Sequence, residues 1–220
     1  MTNSNVQIII QARLSSTRLP RKILKMIDGK SIIEIVLNNC LETGYNVIVA
    51  VPFGEKSTIL EHVNCEEELL SEGPELDVLS RFHKCATVSE DGIIVRVTSD
   101  CPLVAPELIR SCVDYFIETD ATYLTTTNLG VGKYDAATQF PDGFDVEVFT
   151  YKSLCDANDS AKDDIEREHV TLWIKKNYEC CVYNPGSVLL PVDNKYSIDT
   201  DEDYLRVNKI IESGEKTWKP

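Results

Sequence analysis

Val6, Ile8, Ile9 and Ile10 form a β-branched apolar block near the start of the chain, which predicts a buried strand over 6–11. A polar stretch, 12–22, follows it. Ser31-Ile-Ile-Glu34 then has the spacing of a capping box, and Ile33, Val36, Leu37, Cys40 and Leu41 recur at helical intervals until Gly44. A second buried strand is expected at 46–51, closed by Pro52. Further along, the pattern predicts a helix over 76–88, a strand over 93–98 and a helix over 106–118 with proline in its first turn. Beyond those come a threonine-rich strand at 121–127, an irregular stretch at 128–141 and an alternating strand at 145–150. The chain closes with a helix over 163–177 (apolar at Val170, Trp173 and Ile174), a short strand at 180–183 and a helix at 202–213.

Strands that alternate with helices imply an α/β fold, a mostly parallel mixed sheet covered by helices on both faces. Ligands of such sheets bind outside the carboxyl ends of the strands. That rule directs attention to the segments after the first strand and after Val95-Arg96-Val97. A length of 220 residues suits one domain over 1–220, with 128–150 as a lid or dimerisation arm.

Charge and cysteine content narrow the function. A net charge of −14 argues against general nucleic-acid binding, but leaves room for a small anionic ligand held by local cations or a metal. No apolar run is long enough to span a bilayer, and Met1-Thr-Asn-Ser-Asn5 does not read as a leader, so no membrane partner and a cytoplasmic location are expected. The eight cysteines show neither a C-x-x-C pair nor zinc spacing, and read as reduced core thiols.

Several segments carry chemistry. The stretch after the first strand holds Arg13, Ser15, Ser16, Thr17, Arg18, Arg21 and Lys22, a set of guanidinium forks, hydroxyls and backbone N–H groups suited to a triphosphate. It lacks Walker spacing, and its bland alternative is a solvated basic loop. Asp100, at the end of a strand, is a candidate magnesium ligand, or else a turn residue. Asp199 is a candidate second carboxylate, in a segment that also reads as a helix start. Phe140-Pro-Asp-Gly-Phe-Asp-Val-Glu147 offers a turn followed by acids on a strand, and 166–170 puts charge at the front of a helix. Taken alone, each also reads as a turn or a solvated face. His62 and His83 receive no function.

Taken in order, IIQARLSSTRLP (9–20) with Lys22, LDVLSRF (76–82), RVTSDCPLV (96–104), FPDGFDVEVF (140–149), EREHVT (166–171) and IDTDED (198–203) resemble the cytidylyltransferase family of the spore-coat polysaccharide and acylneuraminate type. They are more distantly similar to the synthetases of CMP-Kdo and CMP-sialic acid. The resemblance implies a Rossmann-like nucleotide-diphospho-sugar transferase fold, often a homodimer. It also implies transfer of CMP from CTP to a sugar-like or small anionic acceptor, with release of pyrophosphate. Arg13, Ser15, Ser16, Arg18 and Lys22 would hold the nucleotide, with Asp77 and Arg81 near the nucleoside. Arg13, Lys22 and Asp100 would be catalytic, and Asp100 and Asp199 would hold Mg2+. Asp142, Asp145, Glu166, Arg167 and His169 would face the acceptor. No residue is named as general base.

Two departures stand out. Arg21 occupies the loop position where the family usually has glycine, so it must take an ordinary conformation or accept strain. Lys195-Tyr-Ser-Ile-Asp199 replaces the family's usual Arg-Trp lead into the last motif. Competing readings are a glycosyltransferase of similar architecture and a nucleotide-binding homologue without turnover.

Overall fold

A computed structural model of the chain describes residues 5–127, 140–191 and 193–219. In chain order its elements begin with β1 (Val6–Gln11), the short hairpin β2 (Met26–Ile27) and β3 (Lys30–Ser31), and α1 (Ile32–Leu41). They continue with β4 (Asn46–Pro52), α2 (Lys56–Leu60), β5 (Leu70–Gly73), α3 (Val78–Cys85), β6 (Ile93–Thr98), α4 (Pro106–Glu118) and β7 (Tyr123–Thr125). The last elements are β8 (Val146–Thr150), α5 (Tyr151–Ser160), α6 (Asp164–Glu168), α7 (Leu172–Asn177), β9 (Cys180–Val182), β10 (Ser187–Val188), α8 (Asp201–Ser213) and β11 (Trp218–Lys219).

The main sheet has the order β5-β4-β1-β6-β8-β7-β9. Within it β8 is antiparallel to both its neighbours, whereas the other pairings are parallel. β1 is an interior strand with both faces covered, which is why its isoleucines suit it: Ile8, Ile9 and Ile10 are fully buried, on alternate faces. Ile8 and Ile10 join the core beneath α1 and α4, and Ile9 joins the one beneath α3, α5 and α7.

Register decides where the loops emerge. Gln11 lies beside Thr98, so the segments after β1 and β6 leave the same sheet edge side by side, joined by Ser99 N–H donating to Gln11 O (3.0 Å). Because β8 runs the other way, Val146 pairs with Val97 and the Phe140–Asp145 turn arrives at that same edge. There the turn meets the 196–199 segment. Gly143 (φ +105°) is needed for this approach, since a Cβ would lie 2.3 Å from the backbone carbonyl carbon of Tyr196.

Three expectations are corrected in detail. The helix expected over 76–88 is shorter, capped by Asp77, whose carboxylate accepts from Ser80 N–H (3.0 Å). The helix expected over 163–177 is two helices, α6 and α7, broken by Val170 at φ +48°. Left-handed backbone costs a β-branched residue about 1–3 kcal/mol, and complete burial of the Val170 side chain offsets a similar amount. Ser31 caps α1 by accepting from Glu34 N–H (3.3 Å), while the reciprocal capping box is found at α8, between Thr200 and Asp203. The polar sequences around β5, α2, α5 and the two small two-stranded sheets gave no periodic signal strong enough to predict them. Of the 128–150 segment, 128–139 lies outside the described residues, and 146–150 is a strand inside the main sheet. All eight cysteines are free thiols.

Candidate active site

The loops at the carboxyl edge enclose a cleft of about 840 Å³. One wall is the segment after β1. Its path is fixed by Leu14 N–H donating to the Glu55 carboxylate (2.7 Å), by Arg21 N–H donating to Leu14 O (3.2 Å), and by Leu19, buried as an anchor. Ser15 Oγ donates to Glu75 (2.7 Å), which ties the loop to the turn before α3. Arg21 itself is left-handed (φ 54°, ψ 30°). Of the two options open to an arginine at this position, the chain takes the strained one, so the loop closes without glycine. Arg13, Ser15, Ser16, Arg18 and Lys22 all line the cleft.

The floor brings together residues far apart in sequence. Asp100 follows β6, and Asp199 precedes α8; Ile198 N–H donates to Asp100 O (2.9 Å) and locks the two segments together. Lys22 Nζ sits between the carboxylates, 2.6 Å from Asp100 Oδ2 and 2.8 Å from Asp199 Oδ1. Burial alone would lower the Lys22 pKa, but the two carboxylates outweigh it and the pKa is raised. Asp199 also pairs with Lys195 and with Arg18 (2.9 Å). Burial would raise its pKa, yet the Lys195 and Lys22 hydrogen bonds hold it far below the usual carboxylate range.

Opposite the loop stand Asp142, Asp145, His169, Lys195 and Ser197. Asp145 accepts from Gly143 N–H (3.0 Å) and from the Cys101 thiol (3.4 Å). Desolvation is the main cause that raises its pKa, to about 6, against the lowering effect of the Gly143 bond. Lys195 Nζ reaches Asp142 (3.7 Å) as well as Asp199.

The donor set suits a divalent cation. Two carboxylate oxygens converge on one point already held by a cation, the Lys22 ammonium. Such a pair of carboxylates is the kind of protein contribution a divalent cation takes when phosphate oxygens complete its shell.

The sequence profile of the cytidylyltransferases matches residues 7–210. The chain belongs to the cytidylyltransferase family. It is 27% identical to the spore coat polysaccharide biosynthesis protein SpsF of Bacillus subtilis over 97% of this chain and 89% of that one. It is 37% identical to the 3-deoxy-manno-octulosonate cytidylyltransferase of Yersinia enterocolitica, over 53% of this chain and 48% of that one. A cytidylyltransferase structure from Leptospira borgpetersenii superposes with a TM-score of 0.78 at 26% identity, covering 96% of this chain and 87% of that one. The chain is accordingly a nucleotidyltransferase enzyme with the Rossmann-like fold expected. Among the described residues no helix is long and apolar enough to cross a membrane.

Within this cytidylyltransferase, four residues expected at the site lie outside the cleft lining. Asp77 and Arg167 pair with one another (2.8 Å), joining α3 to α6. Arg81 is fully buried and donates to Pro74 O (2.5 Å) and Glu75 O (3.2 Å), so it shapes the turn that carries Glu75. Glu166 pairs with Lys176 (2.8 Å) on the neighbouring helix. The ion pairs of Asp77 with Arg167 and of Glu166 with Lys176 join elements that only folding brings together, whereas Arg81 keeps Nε and Nη2 buried without a partner among the described residues. Conversely, Glu55, Glu75, Cys101, Lys195 and Ser197 support or line the cleft without having been singled out. Lys195 had a usable signal, since it opens the segment that leads to Asp199.

Proposed function

We propose that this cytidylyltransferase transfers the CMP group of CTP to a sugar-acid acceptor, with Mg2+ as its metal. One observation carries the reading: the cationic loop after β1, Asp100 and Asp199 meet around Lys22 in a single cleft. The names of its relatives point to polysaccharide biosynthesis and to 3-deoxy-manno-octulosonate as the class of acceptor.

In this reading an acceptor hydroxyl oxygen attacks the α-phosphorus of CTP in line. The bond from that phosphorus to the pyrophosphate oxygen breaks, and the hydroxyl proton passes to solvent. Arg13, Arg18 and the N–H groups of the loop bind the triphosphate and neutralise the charge that grows on the leaving pyrophosphate. Asp100 and Asp199 would hold the metal, which when bound supplies Lewis-acid polarisation of the phosphate. Lys22 then gives up its seat between them and turns to a phosphate oxygen. Asp142, Lys195 and His169 orient the acceptor, Lys195 as the cation matched to a carboxylate and Asp142 as an acceptor for sugar hydroxyls. A homodimer belongs to the same reading, and sedimentation velocity tests it.

The decisive experiment offers each nucleoside triphosphate, with Mg2+ and a panel of sugar acids including 3-deoxy-manno-octulosonate, and follows pyrophosphate. CTP-dependent release is expected. Release of a nucleoside diphosphate from nucleotide-sugar donors, offered in a parallel arm, would instead identify a glycosyltransferase, and CTP binding without turnover on any acceptor would sink the transferase reading.

A further inference from the structure

Glu147, on β8, faces away from the cleft and is 3% exposed, yet four groups converge on it. Its Oε2 accepts from Arg96 Nη1. Its Oε1 accepts from Tyr123 OH (2.5 Å) and Thr171 Oγ1 (2.9 Å) and pairs with Lys175 Nζ (2.8 Å). Burial would raise its pKa, but Arg96 and Lys175 drive it far below the usual carboxylate range. Two partly buried cations already satisfy the charge, so the Thr171 bond adds something charge balance does not require.

What it adds is a tether. Thr171 closes a three-residue turn by donating N–H to His169 O (2.5 Å), and the turn's centre is Val170, left-handed and β-branched. Such a residue keeps φ +48° only where its neighbours over-determine it. Here the Val170 side chain is sealed in the core on one side, and Thr171 is pinned to Glu147 on the other. Continuing helically through 169–171 would rotate the 169 side chain relative to the cleft, whereas the break leaves His169 exposed on its lining. On the opposite side of Glu147, Arg96 donates with Nε and Nη2 to Gln11 Oε1 (3.0 and 2.8 Å), and Gln11 heads the phosphate loop.

We propose that Glu147 is a positioning residue: through Thr171 it holds the left-handed turn that aims His169 into the cleft, and through Arg96 and Gln11 it ties that turn to the root of the phosphate loop. Its functional sense rests on the reading of His169 as an acceptor-facing group. The anchor works on both substrate sides from beneath the sheet, without touching either substrate.

The test is histidine NMR on the full chain, which contains only His62, His83 and His169. In Thr171→Val the His169 ring signal should lose its distinct shift and move to that of a free imidazole, while His62 and His83 stay in place. Thr171→Ser, which keeps the hydroxyl, should restore it. Glu147→Gln should reproduce the loss, and if that variant fails to fold, the Thr171 pair decides alone. An unmoved His169 signal in Thr171→Val, or equal movement of all three histidines, overturns the proposal. The acceptor role is read separately: His169→Ala with unchanged pyrophosphate release from CTP and 3-deoxy-manno-octulosonate removes that role, while the turn assignment still stands or falls on the spectra.

Discussion

Two ion clusters of nearly the same composition lie on either side of this sheet edge, and they differ in what water can reach. In the cleft, Lys22, Lys195 and Arg18 surround Asp100 and Asp199, whose side chains are 24% and 17% exposed. Beneath the sheet, Arg96 and Lys175 surround Glu147, whose side chain is 5% exposed. The first cluster has partners that solvent and substrate phosphates can replace. The second has none, because breaking a buried pair strands a charge in a medium that solvates it poorly. Similar side chains thus serve an exchangeable site in one place and a fixed scaffold in the other.

Removing the buried carboxylate should have the largest effect on stability. Glu147→Gln leaves Arg96 and Lys175 without a counter-charge and should cost about 3–5 kcal/mol in urea unfolding. The matched change in the cleft, Asp100→Asn, should leave the unfolding midpoint nearly in place but slow pyrophosphate release by about 100-fold or more. If instead Asp100→Asn destabilised the fold as much as Glu147→Gln, the two clusters would not differ in kind.

Titration sharpens the contrast within the cleft, at Asp145. Asp145 has a folded pKa of about 6, above the ordinary value of about 3.9, so the folded state binds the extra proton between those limits. Stability of the metal-free protein should therefore fall as pH rises from about 4 to about 6, by up to about 3 kcal/mol from this group. Asp145→Asn should flatten that slope. Asp199 works in the opposite sense: its depressed pKa contributes stability above about pH 4, and acid removes it. Denaturant midpoints across pH 3–8 for Asp145→Asn and Asp199→Asn separate these contributions.

The smallest expected effect concerns the loop after β1. Left-handed backbone costs Arg21 about 1–2 kcal/mol, and glycine's greater chain entropy takes back about 0.5–1 kcal/mol. Arg21→Gly should therefore stabilise the chain by about 0.5–1 kcal/mol. A destabilised variant would mean that the Arg21 side chain contributes more than its backbone costs.

The sequence by itself determined the β1 strand, the α/β alternation and the cationic loop. Each depends on residues adjacent in the chain, whose hydrophobic period or charge is read locally: Val6, Ile8, Ile9 and Ile10 are aliphatic because both faces of an interior strand are covered. Asp100 and Asp199 were legible as candidates because each sits at the junction of a strand or helix. That they share one ammonium was decided by the parallel register of β1 and β6 and by the backbone bond from Ile198 to Asp100. The tertiary structure alone decided the rest. Asp77, Arg81, Glu166 and Arg167, which the family resemblance implied as ligand residues, lie outside the cleft lining and bond to neighbouring elements. Glu147, one more alternating acid on a strand, became the buried hub. A carboxylate's role depends on which cations and how much water surround it, and those neighbours come from segments that only folding brings together.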